Sequence, residues 1–254
     1  YGFAGADEKS MDTLHEALQF DTYNHGRYRG CISLPLTISY RCSQAVAKEA
    51  QSIVPEFTSH LVNPEGSVTR GSLDNPQPGD MVLCRVNASL ISQAFKLISS
   101  GIPSKIIGKD IKSSILNLID SLNPDSVMDL VRKIEKQKES EVAYLEKQKP
   151  VPYAAVLAVR DKYNCLLSIC REATSISCAQ HMIHSLFSDD DKVDCVRLSS
   201  IHRAKGLEAD NVYVIRPDLL PHPLAKSDWQ VEQEMNLKYV AITRARNNLI
   251  WVEE

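Results

Sequence analysis

An α/β fold is what this sequence predicts: a parallel sheet flanked by helices, with an all-helical subdomain inserted into it. Three observations carry that expectation. Val196–Leu198 and Val212–Ile215 are short apolar, β-branched runs on either side of a charged turn, the pattern of two buried strands joined by a polar loop. Met81–Arg85, Ala88–Ser99 and Ser104–Ile107 read as strand, amphipathic helix and strand, a unit whose two strands run parallel. From Lys109 to Asp191 apolar residues recur at helical spacing, with Lys and Glu between them, and β-branched clusters thin out. Three to five helices are expected there.

The remaining elements follow in order. Residues 8–30 are polar and carry one short helix, Met11–Leu18, and a loop. Leu34–Ser39 reads as a strand, and Ser43 as the cap of a helix running to about Val54, where Pro55 stops it. Asn63–Gly79 is rich in Pro, Gly and Asn, so it is loop around a short strand, Ser67–Arg70. Beyond the helical block and the two strands that follow it, Pro217–Pro223 is a proline-rich loop. A helix then opens at Ser227 or Asp228 and reaches about Ala245, burying Leu237, Val240 and Ala241, and Leu249–Val252 closes the sheet.

With 254 residues, one or two domains are expected, and 43% hydrophobic content suffices for a core. No apolar run approaches the ~18 residues of a membrane helix, and no basic region precedes an apolar stretch and cleavage site at the amino terminus. A cytoplasmic location is expected, nucleoid-associated or in a host's cytoplasm if the protein is viral. Seven cysteines scattered through mostly apolar contexts point to reduced thiols. Cys165, Cys170, Cys178, His181 and His184 cluster, but no Cys-x-x-Cys pair is among them, so core packing is expected and no metal. Arg132–Lys149 mixes charge signs, as a solvated helix face does. The net charge of −3 favours no nucleic acid, so any such contact must come from a local patch.

Chemistry concentrates in two places. The turn after Val196–Leu198 carries Ser200, His202, Lys205, Gly206 and Glu208. Gly206 would let backbone come close to a ligand, while the side chains around it can donate to phosphate or accept from a sugar hydroxyl. An ordinary solvated turn is the plain alternative. Tyr40 and Arg41 stand at a strand end, where doubly wound sheets bind ligands, although Arg41 by itself could be a surface ion pair.

Four stretches resemble motifs of superfamily 1 helicases of the UvrD, Rep and PcrA type, in the family's order. Ser200-Ile201-His202-Arg203-Ala204-Lys205-Gly206-Leu207-Glu208 resembles motif V, and Glu234 to Arg246, with Tyr239-Val240-Ala241-Ile242-Thr243-Arg244-Ala245 inside it, resembles motif VI. Ile38 to Ser43 resembles motif IV, and Tyr1 to Asp7 the tail of motif III. The resemblance implies a RecA-like sheet. Residues 1–26 would end motif III and link to a preceding RecA-like domain, 27–108 and 192–254 would form the second such domain, and 109–191 a helical insertion.

It also implies roles. ATP and Mg2+ would be held mainly by the preceding domain, with Tyr40 on the base, Glu208 accepting from the ribose hydroxyl, and Gly206 in the same nucleotide-binding set. Arg41 and Arg244 would reach the γ-phosphate as the catalytic pair, Arg244 as an arginine finger, because a guanidinium stays charged and donates in a planar fork. Phe3 and Tyr1 would stack on bases, or Phe3 would merely anchor a loop; Arg85 and Asn87 would contact the DNA, with Ser200 and His202 on the same track. The partners implied are single-stranded or partly duplex DNA and the N-terminal RecA-like domain. The whole would be a monomeric 3′–5′ helicase or translocase serving repair or replication. Ala4, Met235 and Asn236 stand where the family often has basic residues.

The opening Tyr1-Gly2-Phe3 lacks an initiator Met and reads as the middle of a loop, so a fragment is expected. Gly108-Lys109 has Pro103 where a phosphate loop needs its first glycine, and Asp7-Glu8 follows no apolar strand. By itself the chain is expected neither to hydrolyse ATP nor to unwind DNA. Two other readings stand beside this one. An ATP-independent DNA- or partner-binding module derived from a helicase is disfavoured by intact motifs IV, V and VI, and a metal-dependent nuclease tail by the lack of clustered Asp, Glu and Lys.

Overall fold

The computed structural model describes residues 13–17, 36–187 and 194–253. Tyr1, Phe3 and the start of the strand expected at Leu34–Ser39 lie outside them. Residues 13–17 are helical, within the stretch expected at Met11–Leu18.

Six strands form the main sheet: β3 (Ser67–Gly71), β4 (Met81–Cys84), β5 (Ser104–Ile106), β6 (Val196–Ser200), β7 (Ala209–Val214) and β8 (Ala245–Val252). Their order is β3-β8-β7-β4-β6-β5, and every adjacent pair is parallel. The two outward directions of a strand alternate, and both faces are covered here. Val82 and Cys84 of β4 enter the core on one side, Met81 and Leu83 the core on the other. That is why the buried strands read as continuous apolar runs rather than alternating ones.

Helices α1 (Gln44–Ala50) and α7 (Asp228–Ile242) cover one face, contributing Val46, Ala47, Leu237 and Ala241 to its core. The other face takes α2 (Asn87–Ser99) and the helical block α3 (Lys109–Leu122), α4 (Val127–Glu146), α5 (Tyr153–Glu172) and α6 (Ile176–Leu186). Local signals start and stop these helices. Ser126 and Ser175 accept from the main-chain N–H of Asp129 and Cys178 at the starts of α4 and α6, and Asn123 ends α3 in the left-handed conformation. The axis of the block is α5, whose Tyr163, Cys165, Leu166, Ile169 and Cys170 are all buried. Cys165 and Cys170 of the cluster noted above thus serve as core residues, whereas Cys178 on α6 is only half-buried. Along α4 only Leu130 and Ile134 are buried, while Asp129 pairs with Arg132 and Lys133 on its outer side. No described helix is long and apolar enough to cross a membrane.

Three differences from the expected elements bear on function. The strand before Tyr40 is only β1 (Ile38–Ser39) among the described residues. It pairs in parallel with β2 (Thr58–Ser59) in a separate small sheet instead of joining the main one. Secondly, α7 ends at Ile242 and β8 begins at Ala245, four residues before the apolar run that marked it. Its polar start is satisfied by side chains: Ser67 Oγ donates to Asn248 Oδ1, Asn248 Nδ2 to Asn211 Oδ1, and Asn211 Nδ2 to Asp80 Oδ1, a ladder across four strands. Thirdly, Ser43 precedes α1 but does not cap it with its side chain; its Oγ donates to the Asn247 carbonyl at 2.9 Å, and its N–H to the Arg246 carbonyl at 2.7 Å.

Gly66 makes that last junction possible. At φ +63° a Cβ would lie 2.2 Å from both the Asn247 carbonyl and Ser43 Oγ. Gly66→Ala is therefore expected to destabilise the domain by about 1–3 kcal/mol, the cost of overpacking and backbone strain together. Urea unfolding would measure it, and an unchanged midpoint would show that the junction yields freely.

Candidate functional site

Parallel strands set two ends to the sheet, and a cleft lies at each. The first, about 670 Å³, is lined by Ser39, Tyr40, Arg41, Cys42, Phe57, Glu208, Tyr239, Thr243, Arg244 and Arg246. Arg41 and Arg244, 203 positions apart, therefore face one space. Each arrives differently. Arg41 sits in a turn where Ser39 Oγ accepts the N–H groups of Arg41 and Cys42, and the Ser43 junction ties that turn to β8. Arg244 lies between α7 and β8; its Nε donates to the Val240 carbonyl and its Nη1 to the Leu207 carbonyl, both at 3.1 Å. The guanidinium is thus oriented by main chain from two elements.

Glu208 stands just before β7 and pairs with Arg41 at 2.5 Å and with Arg246 at 3.5 Å, while Arg246 also reaches Asp210 at 2.9 Å. Tyr40, 73% exposed, stacks on His60 with ring centroids 4.5 Å apart, so a flat aromatic surface borders the arginines. Burial pushes the Cys42 thiol up, against the opposing pull of the Ser39 hydrogen bond and the charges of Arg41 and Arg244. Three guanidiniums against the two carboxylates of Glu208 and Asp210 leave a cleft of net positive charge that attracts a polyanion.

The second cleft, about 310 Å³, opens at the carboxyl ends of β4 and β6, where open parallel sheets bind ligands. Arg85, Asn87, Asp161, Ser200, His202 and Arg203 are among its lining residues. Asp161 of α5 accepts from the N–H groups of Asn87 and Ala88 at 3.0 Å and from Asn87 Nδ2 at 2.7 Å, so it caps α2 and orients the Asn87 amide. The Asn87 Oδ1 atom is buried there without a hydrogen-bond partner. Although His202 remains exposed, loss of solvation at the sheet end, with the positive charge of Arg85 close by, lowers its pKa. Arg203 pairs with Asp110 at the start of α3 at 2.6 Å. Arg85 itself is held by Glu234 of α7, Nε to Oε2 at 2.9 Å and Nη2 to Oε1 at 2.7 Å.

One connection joins the clefts. Residues 201–208 leave the carboxyl end of β6 and deliver the chain to the start of β7 at the opposite end, with Ile201 and Ala204 buried under the sheet. Eight residues are short for a parallel crossover, which usually takes a dozen or more. Ser200 and His202 accordingly belong to the second cleft and Glu208 to the first. Gly206, exposed at φ +93°, has no neighbour within 4 Å of a Cβ position, so its left-handed backbone is what asks for glycine.

Of the expected residues, Tyr40, Arg41, Glu208 and Arg244 are brought together, and so are Arg85, Asn87, Ser200 and His202. Gly206 lines neither cleft. Sequence reasoning missed Arg246, Asp161 and Glu234. Arg246 and Glu234 lay inside a motif already noticed, whereas nothing in a helical run could have marked Asp161. Among the described residues no group of three or more His, Cys, Asp or Glu is arranged to hold a metal ion.

Comparison with known proteins gives the same direction. The family model described as the UvrD-like helicase C-terminal domain matches residues 127–253, half of the chain. The ATP-dependent DNA helicase Rep of Salmonella typhimurium is 37% identical over 62 residues, 24% of this chain and 9% of Rep, and its Escherichia coli counterpart is 36% identical over the same length. The matched stretch is thus a small part of those relatives. A crystal structure titled as the C-terminal domain of a possible DNA helicase from Lactobacillus plantarum WCFS1 is 18% identical, covering 84% of this chain and 86% of that one, with a TM-score of 0.27. A score that low leaves the fold to be judged from the sheet itself.

Proposed function

Because this chain belongs to the UvrD-like helicase C-terminal domain family, we propose that it is the second motor domain of an ATP-dependent 3′–5′ DNA helicase or translocase. In that role it completes an ATP site whose phosphate loop belongs to another RecA-like domain. The supporting observation is the convergence of Arg41, Arg244 and Arg246 on one cleft beside Tyr40 and Glu208. In this reading residues 27–108 and 192–254 make up the motor domain and 109–191 its helical insertion.

The residues present suit a triphosphate and not a resident metal. Three guanidiniums offset the charge of a polyphosphate, while Mg2+ would need carboxylates from the facing domain. Tyr40 packs on the base, Glu208 leaves Arg41 to accept from the ribose hydroxyl, and Arg41 turns to the γ-phosphate. Arg244, already oriented by Val240 and Leu207, stabilises the charge that develops on the transferred phosphoryl group. Both arginines bind ATP better than ADP, so the cleft closes with ATP and relaxes after hydrolysis. At the other end of the sheet, Asn87, Ser200 and His202 line the single-stranded DNA track, and alternating closure becomes movement along the strand.

The test is ATPase activity with and without a single-stranded oligonucleotide. The full-length protein is expected to be stimulated by DNA, and the isolated chain to show no turnover. Hydrolysis by the isolated chain, or a full-length protein that binds DNA yet never hydrolyses ATP, would replace this reading with that of a binding module.

A further inference from the structure

Glu234 is the most completely enclosed carboxylate among the described residues, 2% exposed, and neither cleft uses it directly. It lies on α7, and its oxygens take the Arg85 guanidinium from the end of β4, the His222 N–H at 3.2 Å from the proline-rich loop, and the Tyr153 hydroxyl at 3.5 Å from α5 of the helical block. Four separate elements meet on one side chain.

The position matters because of where α7 leads. From Glu234 the helix runs on to Ile242, a span of ~12 Å at ~1.5 Å per residue, and Arg244 follows two residues later in the arginine cleft. Arg85 lines the other cleft: Cys84 before it pairs with Ser200, and the Ile201 N–H donates to the Cys84 carbonyl at 3.0 Å. Because unbroken helix runs from Glu234 to Ile242, a shift at the Arg85 contact is carried to Arg244. The pair is bidentate, so it fixes direction as well as distance.

We propose that Glu234 is a positioning residue which, by gripping Arg85, links occupancy of the nucleic-acid cleft to the placement of Arg244. This rests on the function proposed above. Glu234 touches no ligand; it acts through Arg85 at the middle of α7 and through Arg244 just beyond its carboxyl end. Tyr153 brings the helical insertion into the same linkage.

The experiment uses the full-length protein and Glu234→Gln, which keeps the shape of the side chain and removes its charge. The DNA-stimulated kcat is expected to fall about tenfold, the size of an ordinary coupling between sites. KM for ATP, and affinity for a single-stranded oligonucleotide without nucleotide, stay within about twofold, because no binding contact is removed. Since an unpaired buried guanidinium can unfold a domain, Glu234→Leu combined with Arg85→Met provides the second variant: it replaces the pair by apolar groups, a change that proteins tolerate. It is expected to melt cooperatively and to respond to DNA as poorly as Glu234→Gln. Normal stimulation of the double variant would overturn the proposal. So would a Glu234→Gln protein in which KM, oligonucleotide affinity and kcat worsen in step, the mark of a merely structural pair. A wild-type protein without DNA-stimulated hydrolysis would bring down the proposed function as well, whereas stimulated wild type with unaffected variants defeats the linkage alone.

Discussion

Arg244→Ala in the full-length protein is expected to lower the DNA-stimulated ATPase by about 10³- to 10⁵-fold, the range over which an arginine finger acts. The size follows from preorganisation. Arg244 is held by the carbonyls of Val240 and Leu207 and donates to Thr243 Oγ1 at 3.3 Å, so little reorientation is required when charge develops beside it. Losing those contacts costs the fold about 1–3 kcal/mol, which thermal melting of the variant would report separately from turnover. Arg244→Lys is expected to recover little, since an ammonium keeps the charge but cannot reproduce the fork that spans Leu207 and Val240. A variant with ordinary turnover and an ordinary melting curve would remove Arg244 from the mechanism.

Arg41→Ala should be the second largest effect, a fall of about 10²- to 10³-fold in kcat, comparable to the loss of one donor to a developing charge. It is smaller because Arg41 is less fixed. Its side chain is 42% exposed and its present partner is Glu208, which it must leave before it can reach a phosphate. The ion pair itself is exposed enough that breaking it changes stability little. The variant also leaves Glu208 with Arg246 as its remaining partner in the cleft, so KM for ATP is expected to rise along with the loss of kcat. Steady-state kinetics across ATP concentrations would separate the two, and an unchanged KM together with an unchanged kcat would reduce Arg41 to a surface residue.

The two variants differ for a reason that sequence could not supply. Both arginines stand within a recognisable motif, and nothing in either motif says which is braced by main-chain carbonyls and which is paired with a carboxylate. The same holds for Arg85. Its place next to Asn87 marked it as a possible DNA contact, yet its guanidinium is enclosed by Glu234, a residue 149 positions away. Burial pulls its pKa down, and the carboxylate more than offsets that. Long-range partners of this kind leave no periodic trace.

What the chain determined by itself was local. Apolar, β-branched runs at Met81–Cys84, Val196–Leu198 and Val212–Val214 specified buried strands, helical periodicity from Lys109 onward specified the inserted block, and motifs IV, V and VI specified the family. These signals survive in sequence because burial and backbone geometry act on neighbouring residues. Only the tertiary structure decided that Ile38–Ser39 stays out of the main sheet, that a polar ladder lets β8 begin early, and that residues 201–208 run from one cleft to the other. It alone decided that Glu234 closes on Arg85. Those outcomes depend on which hydrogen-bonding and charged groups are left unsatisfied once the sheet has packed, and that is settled by the whole fold at once.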